Sequence, residues 1–381
     1  MRRTVSLARL CKSVLLLAAL FAACASSGQF SAAAEDGKTG RYLYVAVPGI
    51  RNYLEYGGHG LLVFDIDNGH RFVRRIPIAG LDAKGRPLNV KGICGSAETG
   101  RVYISTLQQL MCLDLTSEEI VWERKYDTGC DRMSITPDGK TIFLPSLEGP
   151  HWYVVDAENG SESDRIVVHS GAHNTICGLS GRYAYLAGLR SPRLRVVDTQ
   201  TLAVASVGPF SASIRPFTVD GLERYVYVTI NDLLGFEVGD LANGEKLHRV
   251  EIKGFEKGRV KRHGCPSHGI GLTPDEKELW VTDAANSRMH IFDATVMPPV
   301  QLESVELRDQ PGWITFSLDG KFAYPSTGDV IDTASRKIVA HLTDEEGRAV
   351  QSEKMLEVQW DSAQVSRVGD QFGLGRRTAR Q

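Results

Sequence analysis

The sequence predicts an all-β chain, a seven-bladed β-propeller, on three observations. An apolar strand ending in aspartate recurs along it. A second apolar strand precedes each copy. Tight-turn chemistry separates these short strands, and few long helical patterns interrupt them.

The aspartate strands are LLVFD at Asp65, MCLD at Asp114, YVVD at Asp156, RVVD at Asp198, GFEVGD at Asp240, HIFD at Asp293 and VID at Asp332. Their intervals are 49, 42, 42, 42, 53 and 39 residues, a mean of 44.5. That is the length of one four-stranded propeller blade. The strand before each is YLYVAV, RVYIST, TIFLPS, YAYLAG, YVYVTI, ELWVTD or FAYPST. A third strand lies earlier still and enters a turn, as in MSITPDGK (133–140), IGLTPDEK (270–277) and ITFSLDGK (314–321). A fourth follows the aspartate, as in RIVVHS and KIVAHL.

The chain enters at Arg41-Tyr42-Leu43-Tyr44, the second strand of a blade, with no first strand before it. The alternating segment Glu353–Trp360 (EKMLEVQW) is placed to supply that strand and close the ring without an open edge. The expected organisation is a signal segment over 1–34, a linker over 35–40, the propeller over 41–361 and a C-terminal tail over 362–381, with Gln371–Gln381 outside the ring.

These repeats resemble the YVTN-type β-propeller repeats of secreted bacterial and archaeal proteins. TPDEKELWVTDAANSRMHIFDAT (273–295) carries the resemblance best, followed by SLDGKFAYPSTGDVIDTAS (317–335) and TPDGKTIFLPS (136–146). The resemblance covers roughly residues 41–361. It implies a fold and no particular activity.

Composition agrees with a folded exported body. The 381 residues are 42% hydrophobic and 24% charged, which excludes disordered and collagenous chains. Residues 1–34 hold Arg2, Arg3, Arg9 and Lys12 and no acid, so the formal charge of −2 becomes −6 without them. A mildly acidic body argues against nucleic acid as a partner. The basic start, the short apolar run Ser13–Cys24 and Ala32-Ala33-Ala34 describe a secretory signal. Phe21-Ala22-Ala23-Cys24 also resembles a lipobox, so the expectation is a periplasmic or secreted protein, with lipid anchoring at Cys24 as the alternative. Seven cysteines fall to five after cleavage, in neither zinc nor c-type haem spacing. Cys94, Cys112 and Cys177 read as small buried hydrophobes. The chain is expected to be a monomer.

Aligning the inner strands on their turns places one position of each blade at one end of the channel. These are Lys91, Asp131 with Arg132 beside it, His173 or Asn174, Arg215, His268, Gly312 and Glu353. A long loop, GRVKRHGCPSHG (258–269), adds His263 and Cys265 at the same end, and Trp313 is placed to stack on a ligand. Unlike residues at equivalent positions suggest a site, because a structural repeat needs only one solution. Propeller channels are also polar without any function. His173, His268, Asp131 and Glu353 offer nitrogen and oxygen ligands to a divalent ion, whereas Lys91 and Arg215 oppose a cation. No metal or other cofactor is assigned. No G-x-S-x-G, Walker or dinucleotide fingerprint is present. His59 reads as a turn residue, the other tryptophans as inter-blade packing, and Arg190–Arg193 and Lys261–His263 as solvated basic loops.

Two functions fit. One is a binding or scaffold module that holds a protein, peptide or small ligand at the channel mouth. The other is a propeller enzyme, a lyase, lactonase or quinoprotein-like oxidoreductase, using the His/Asp/Arg/Glu cluster.

Overall fold

The computed structural model describes residues 39–378. The signal segment, the Cys24 anchor and most of the linker lie outside them. Among the described residues there are no helices, and seven sheets form a seven-bladed β-propeller. Blade two is β4–β7 (Val90–Lys125), blade three β8–β11 (Ser134–Val167) and blade four β12–β15 (Ala172–Val207). Blade five is β16–β19 (Ile214–Glu251), blade six β20–β23 (Ile270–Glu306) and blade seven β24–β27 (Ile314–His341). In these six the strand order follows the chain from channel to rim.

Blade one is closed by the two ends of the ring. Its order is β28 (Met355–Asp361), β1 (Gly40–Val47), β2 (Gly60–Asp65) and β3 (Arg71–Ile76). β28 runs antiparallel to β1, with Val45 opposite Met355 and Tyr42 opposite Val358. The closing strand is therefore the one expected from the alternating segment.

The recurring aspartate has a local cause. It ends the third strand of every blade, and its carboxylate accepts backbone N–H bonds from the turn. Asp198 Oδ1 accepts from Gln200 N at 3.1 Å and Thr201 N at 2.9 Å, and Asp240 Oδ1 from Ala242 N and Asn243 N at 2.8 and 2.9 Å. The turn closes four residues on in a left-handed residue, Glu118, Gly160, Leu202, Gly244 or Arg336, whose N–H bonds back to the aspartate carbonyl at 2.7–3.0 Å.

The core is divided into seven apolar clusters, one between each pair of neighbouring blades. The middle strands are buried on both faces, which is why they read as continuous apolar runs. The outermost strands alternate or are exposed, as in Lys337–His341. The five cysteines among the described residues are free and buried.

The tail departs from expectation. β29 (Gln364–Val368) pairs with β28 on its channel side, and the segment beyond it crosses the channel. Asp370 O accepts from Thr315 Oγ1, Gln371 O from Trp313 Nε1, and Gly373 O from both Leu272 N and Thr218 Oγ1. Gly375 N donates to Val219 O. Phe372 and Leu374 are buried in the cluster between blades four and five. Gly373 stands at φ +56°, and a Cβ on it would meet Gly271 Cα at 2.9 Å, so only a glycine pair lets the backbones pass this closely. The tail from Asp370 therefore lies inside the ring. Its QFGLG pattern alternates apolar side chains with glycines slim enough to thread between inner strands.

Candidate functional site

Every inner strand begins at the same end of the channel, so the residue at or just before its start projects there. Lys91 lies on β4, Asp131 and Arg132 precede β8, and His173 and Asn174 lie on β12. Arg215 lies on β16, His268 and Trp313 precede β20 and β24, and Glu353 precedes β28.

A buried polar network joins most of them. Asp131, fully buried, takes Lys91 Nζ on Oδ1 at 3.3 Å and His173 Nδ1 on Oδ2 at 2.6 Å. Arg132 donates from one terminal nitrogen to His173 Nε2 at 3.2 Å and from the other to Glu353 Oε2. Lys354 Nζ donates to the same Oε2 at 2.8 Å and to Gly49 O at 2.7 Å. His263 Nδ1 meets Glu353 Oε1 at 3.0 Å. The Arg132 guanidinium lies 4.3 Å above the Trp313 ring, whose indole also contacts His268 and, from the tail, Phe372. Trp313 thus separates the network from the plugged channel.

The electrostatics follow from burial and pairing. Burial works against the charge on Asp131, but His173, Lys91 and Arg132 hold its carboxyl well below the usual range. Glu353 is likewise buried and likewise held down, by Lys354, Arg132 and His263. Burial keeps His173 and His268 neutral, with Arg132 adding to the effect. Neutral His173 agrees with its geometry, because an Nε2 that accepts from Arg132 must carry a lone pair. Burial, with Arg132 close by, brings Lys354 down to about 7.

Two expected residues stand apart from this network. Arg215 donates from Nε to Asn231 Oδ1 at 2.6 Å and from Nη2 to Gly264 O at 3.2 Å, so it grips the long loop. Asn174 is buried with neither amide atom bonded. Sequence reasoning misses one member, Lys354, and places a second, His263, at this end but reads it as part of a solvated loop. Lys354 follows Glu353 directly, but a strand start gives no sign of which neighbour turns inward.

His263 belongs to the long loop, and here the solvated-loop reading is overturned. Arg262 pairs with Asp309 at 2.8 Å and donates to Gln351 and to Tyr56 Oη, while Arg51 donates to Arg262 O. These contacts strap the loop down and carry His263 inward. Its ring sits on Gly312, where a Cβ would come within 1.9 Å of it. The signal was there in the sequence, as an imidazole within an insertion at the mouth.

Comparisons with known proteins address the fold. Searches against protein-family models and curated proteins return no match. Among solved structures, the chain is similar to dihydro-heme d1 dehydrogenase NirN in complex with DHE. That match has a TM-score of 0.60 and 15% identity, covering 86% of this chain and 73% of the other. It is also similar to Kuenenia stuttgartiensis hydrazine synthase, with a TM-score of 0.42 and 14% identity, covering 65% of this chain and 94% of the other. At such identities the likeness to the dehydrogenase is one of propeller fold.

Proposed function

We propose that this protein is an exported propeller of the YVTN type that binds a small anionic ligand, free or as part of a peptide, at the channel mouth. The observation that carries this reading is a set of buried polar atoms without hydrogen-bond partners: Arg132 Nε, and Asn174 Oδ1 and Nδ2. A buried polar group left unpaired costs about 1–3 kcal/mol, and several at one channel end call for something that pairs them. Lys91, Arg132 and Lys354 outnumber Asp131 and Glu353, so the missing partner is an anion. Export rests on the signal-like N-terminus, with the lipid anchor as its alternative; the mass of the mature N-terminus distinguishes them.

The test is a thermal-shift panel of small carboxylates and phosphates, with calorimetry on any hit. Arg132→Gln should weaken binding at least tenfold. A panel without a saturable binder, or equal binding by Arg132→Gln, overturns the reading.

A catalytic use of the same residues is favoured by one observation. Lys354, at about 7, is poised to exchange a proton near neutral pH on the Glu353 carboxylate that it shares with Arg132. A lyase or an oxidoreductase uses such a base, and the fold-level likeness to a dehydrogenase is an analogy only. Lys354→Met would then abolish turnover of a bound compound while leaving its affinity within a few-fold.

A further inference from the structure

The two imidazoles at the strap are arranged unlike His173. His268 Nδ1 lies 2.8 Å from Gly312 O. A carbonyl only accepts, so Nδ1 carries the proton and Nε2 the lone pair. His263 Nδ1 faces the Glu353 carboxylate at 3.0 Å, which fixes the same tautomer. Its Nε2 is buried and has no partner. The rings lie 5.2 Å apart between centroids, and one donor atom from each of His263, His268 and Glu353 falls within 4.8 Å of the others. An imidazole held from behind by a carboxylate or carbonyl, with a bare nitrogen in front, is how proteins present histidine to a metal. By contrast, the Nε2 of His173 is already occupied by Arg132.

We infer that His263 and His268, backed by Glu353, form a site for a borderline divalent transition ion such as Zn2+, Co2+ or Cu2+. The inference deepens the reading of the mouth as a binding site. The donor set excludes Ca2+ and Mg2+, which need several oxygen ligands. Neutral nitrogen donors suit the borderline ions. Arg132 and Lys354 share Glu353 Oε2 and repel a cation, so they lower the affinity. The same two charges favour an anion in the coordination positions that the two imidazoles leave open. The ion would also tie the strap, through His263, to the inner strand entered at His268.

The experiment is calorimetric titration of the chelator-treated protein with Zn2+, and with Co2+ read by its visible absorption. Wild type, His263→Gln, His268→Gln, His173→Gln and Arg132→Gln are compared, each with a melting curve. Glutamine keeps a donor toward the backing acceptor, so the variants retain the packing. One equivalent should bind to wild type, at least tenfold more weakly to His263→Gln and His268→Gln, and unchanged to His173→Gln. Arg132→Gln should bind the ion more tightly while losing the anionic ligand. That opposite sign separates this inference from the reading it rests on: a metal isotherm can stand even if no carboxylate or phosphate binds. No saturable binding to wild type, or equal binding by either strap variant, overturns the site.

Discussion

Five charged or titrating side chains in the mouth share one property: each binds protons less readily in the folded chain than in the unfolded one. Asp131 and Glu353 are held low by cations, His173 and His268 are kept neutral, and Lys354 falls to about 7. A depressed carboxylate contributes stability that is lost as pH falls below about 4, and a neutral buried imidazole loses it below about 6.5. A depressed lysine costs stability while charged and stops doing so as pH rises above 7. All three signs agree, so the melting temperature should rise from pH 4 toward pH 9. Above that the buried tyrosines, Tyr103 and Tyr185 among them, resist ionisation in the fold, and stability should fall again. Lys354→Met should flatten the profile between pH 7 and 9; a wild-type curve already flat there would contradict this account. Asp131→Asn removes one partner from a buried charge network and should cost about 3–5 kcal/mol by chemical denaturation.

At the scale of elements, the third-to-fourth-strand turn explains the repeat. One aspartate caps the turn by accepting from one or two backbone N–H groups, and the residue four positions on takes the left-handed conformation in six blades. Three blades use glycine there, Gly69, Gly160 and Gly244, and three force Glu118, Leu202 or Arg336 into it. Gly244→Ala should therefore fold but lose about 1–2 kcal/mol, the usual penalty for a Cβ in that region, since Ser206 O also lies 3.0 Å from the new atom. The tail is a second such element. Phe372 is buried between blades four and five and against Trp313. Phe372→Ala should cost about 3–5 kcal/mol. Measured loss below 1 kcal/mol would mean that the channel plug contributes little to the fold.

For the whole molecule, ring closure decides whether the fold persists. β28 buries Met355, Leu356, Val358 and Trp360 against two neighbouring blades. Four such side chains are worth roughly 6–12 kcal/mol. The entire net stability of a folded protein is about 5–15 kcal/mol. Truncation after Ser352 should thus yield insoluble or unfolded protein, read by expression and circular dichroism. A soluble truncation with a wild-type melting temperature would show that the ring closes without this strand.

The seven blades, their strand order and the closing strand were legible in the sequence because each follows from local periodicity. Apolar runs of strand length, Pro-Asp-Gly turns and a capping aspartate recur at blade spacing, and each blade satisfies its backbone within itself. The register of the inner strands likewise pointed to Lys91, Asp131, His173, His268 and Glu353 as residues of one channel end. What only the tertiary structure decided are the contacts between segments far apart in the chain. Arg132 outweighs Arg215 because it reaches Glu353 across the channel, 221 residues away. His263 enters because Arg262 finds Asp309, Gln351 and Tyr56 on other blades and straps its loop inward. The tail fills the channel because Phe372 and Leu374 meet an apolar surface that exists only once the ring has closed. Local pattern determines which strands form and which face they bury; which distant side chains pair in a shared cavity depends on the closed ring that brings them together.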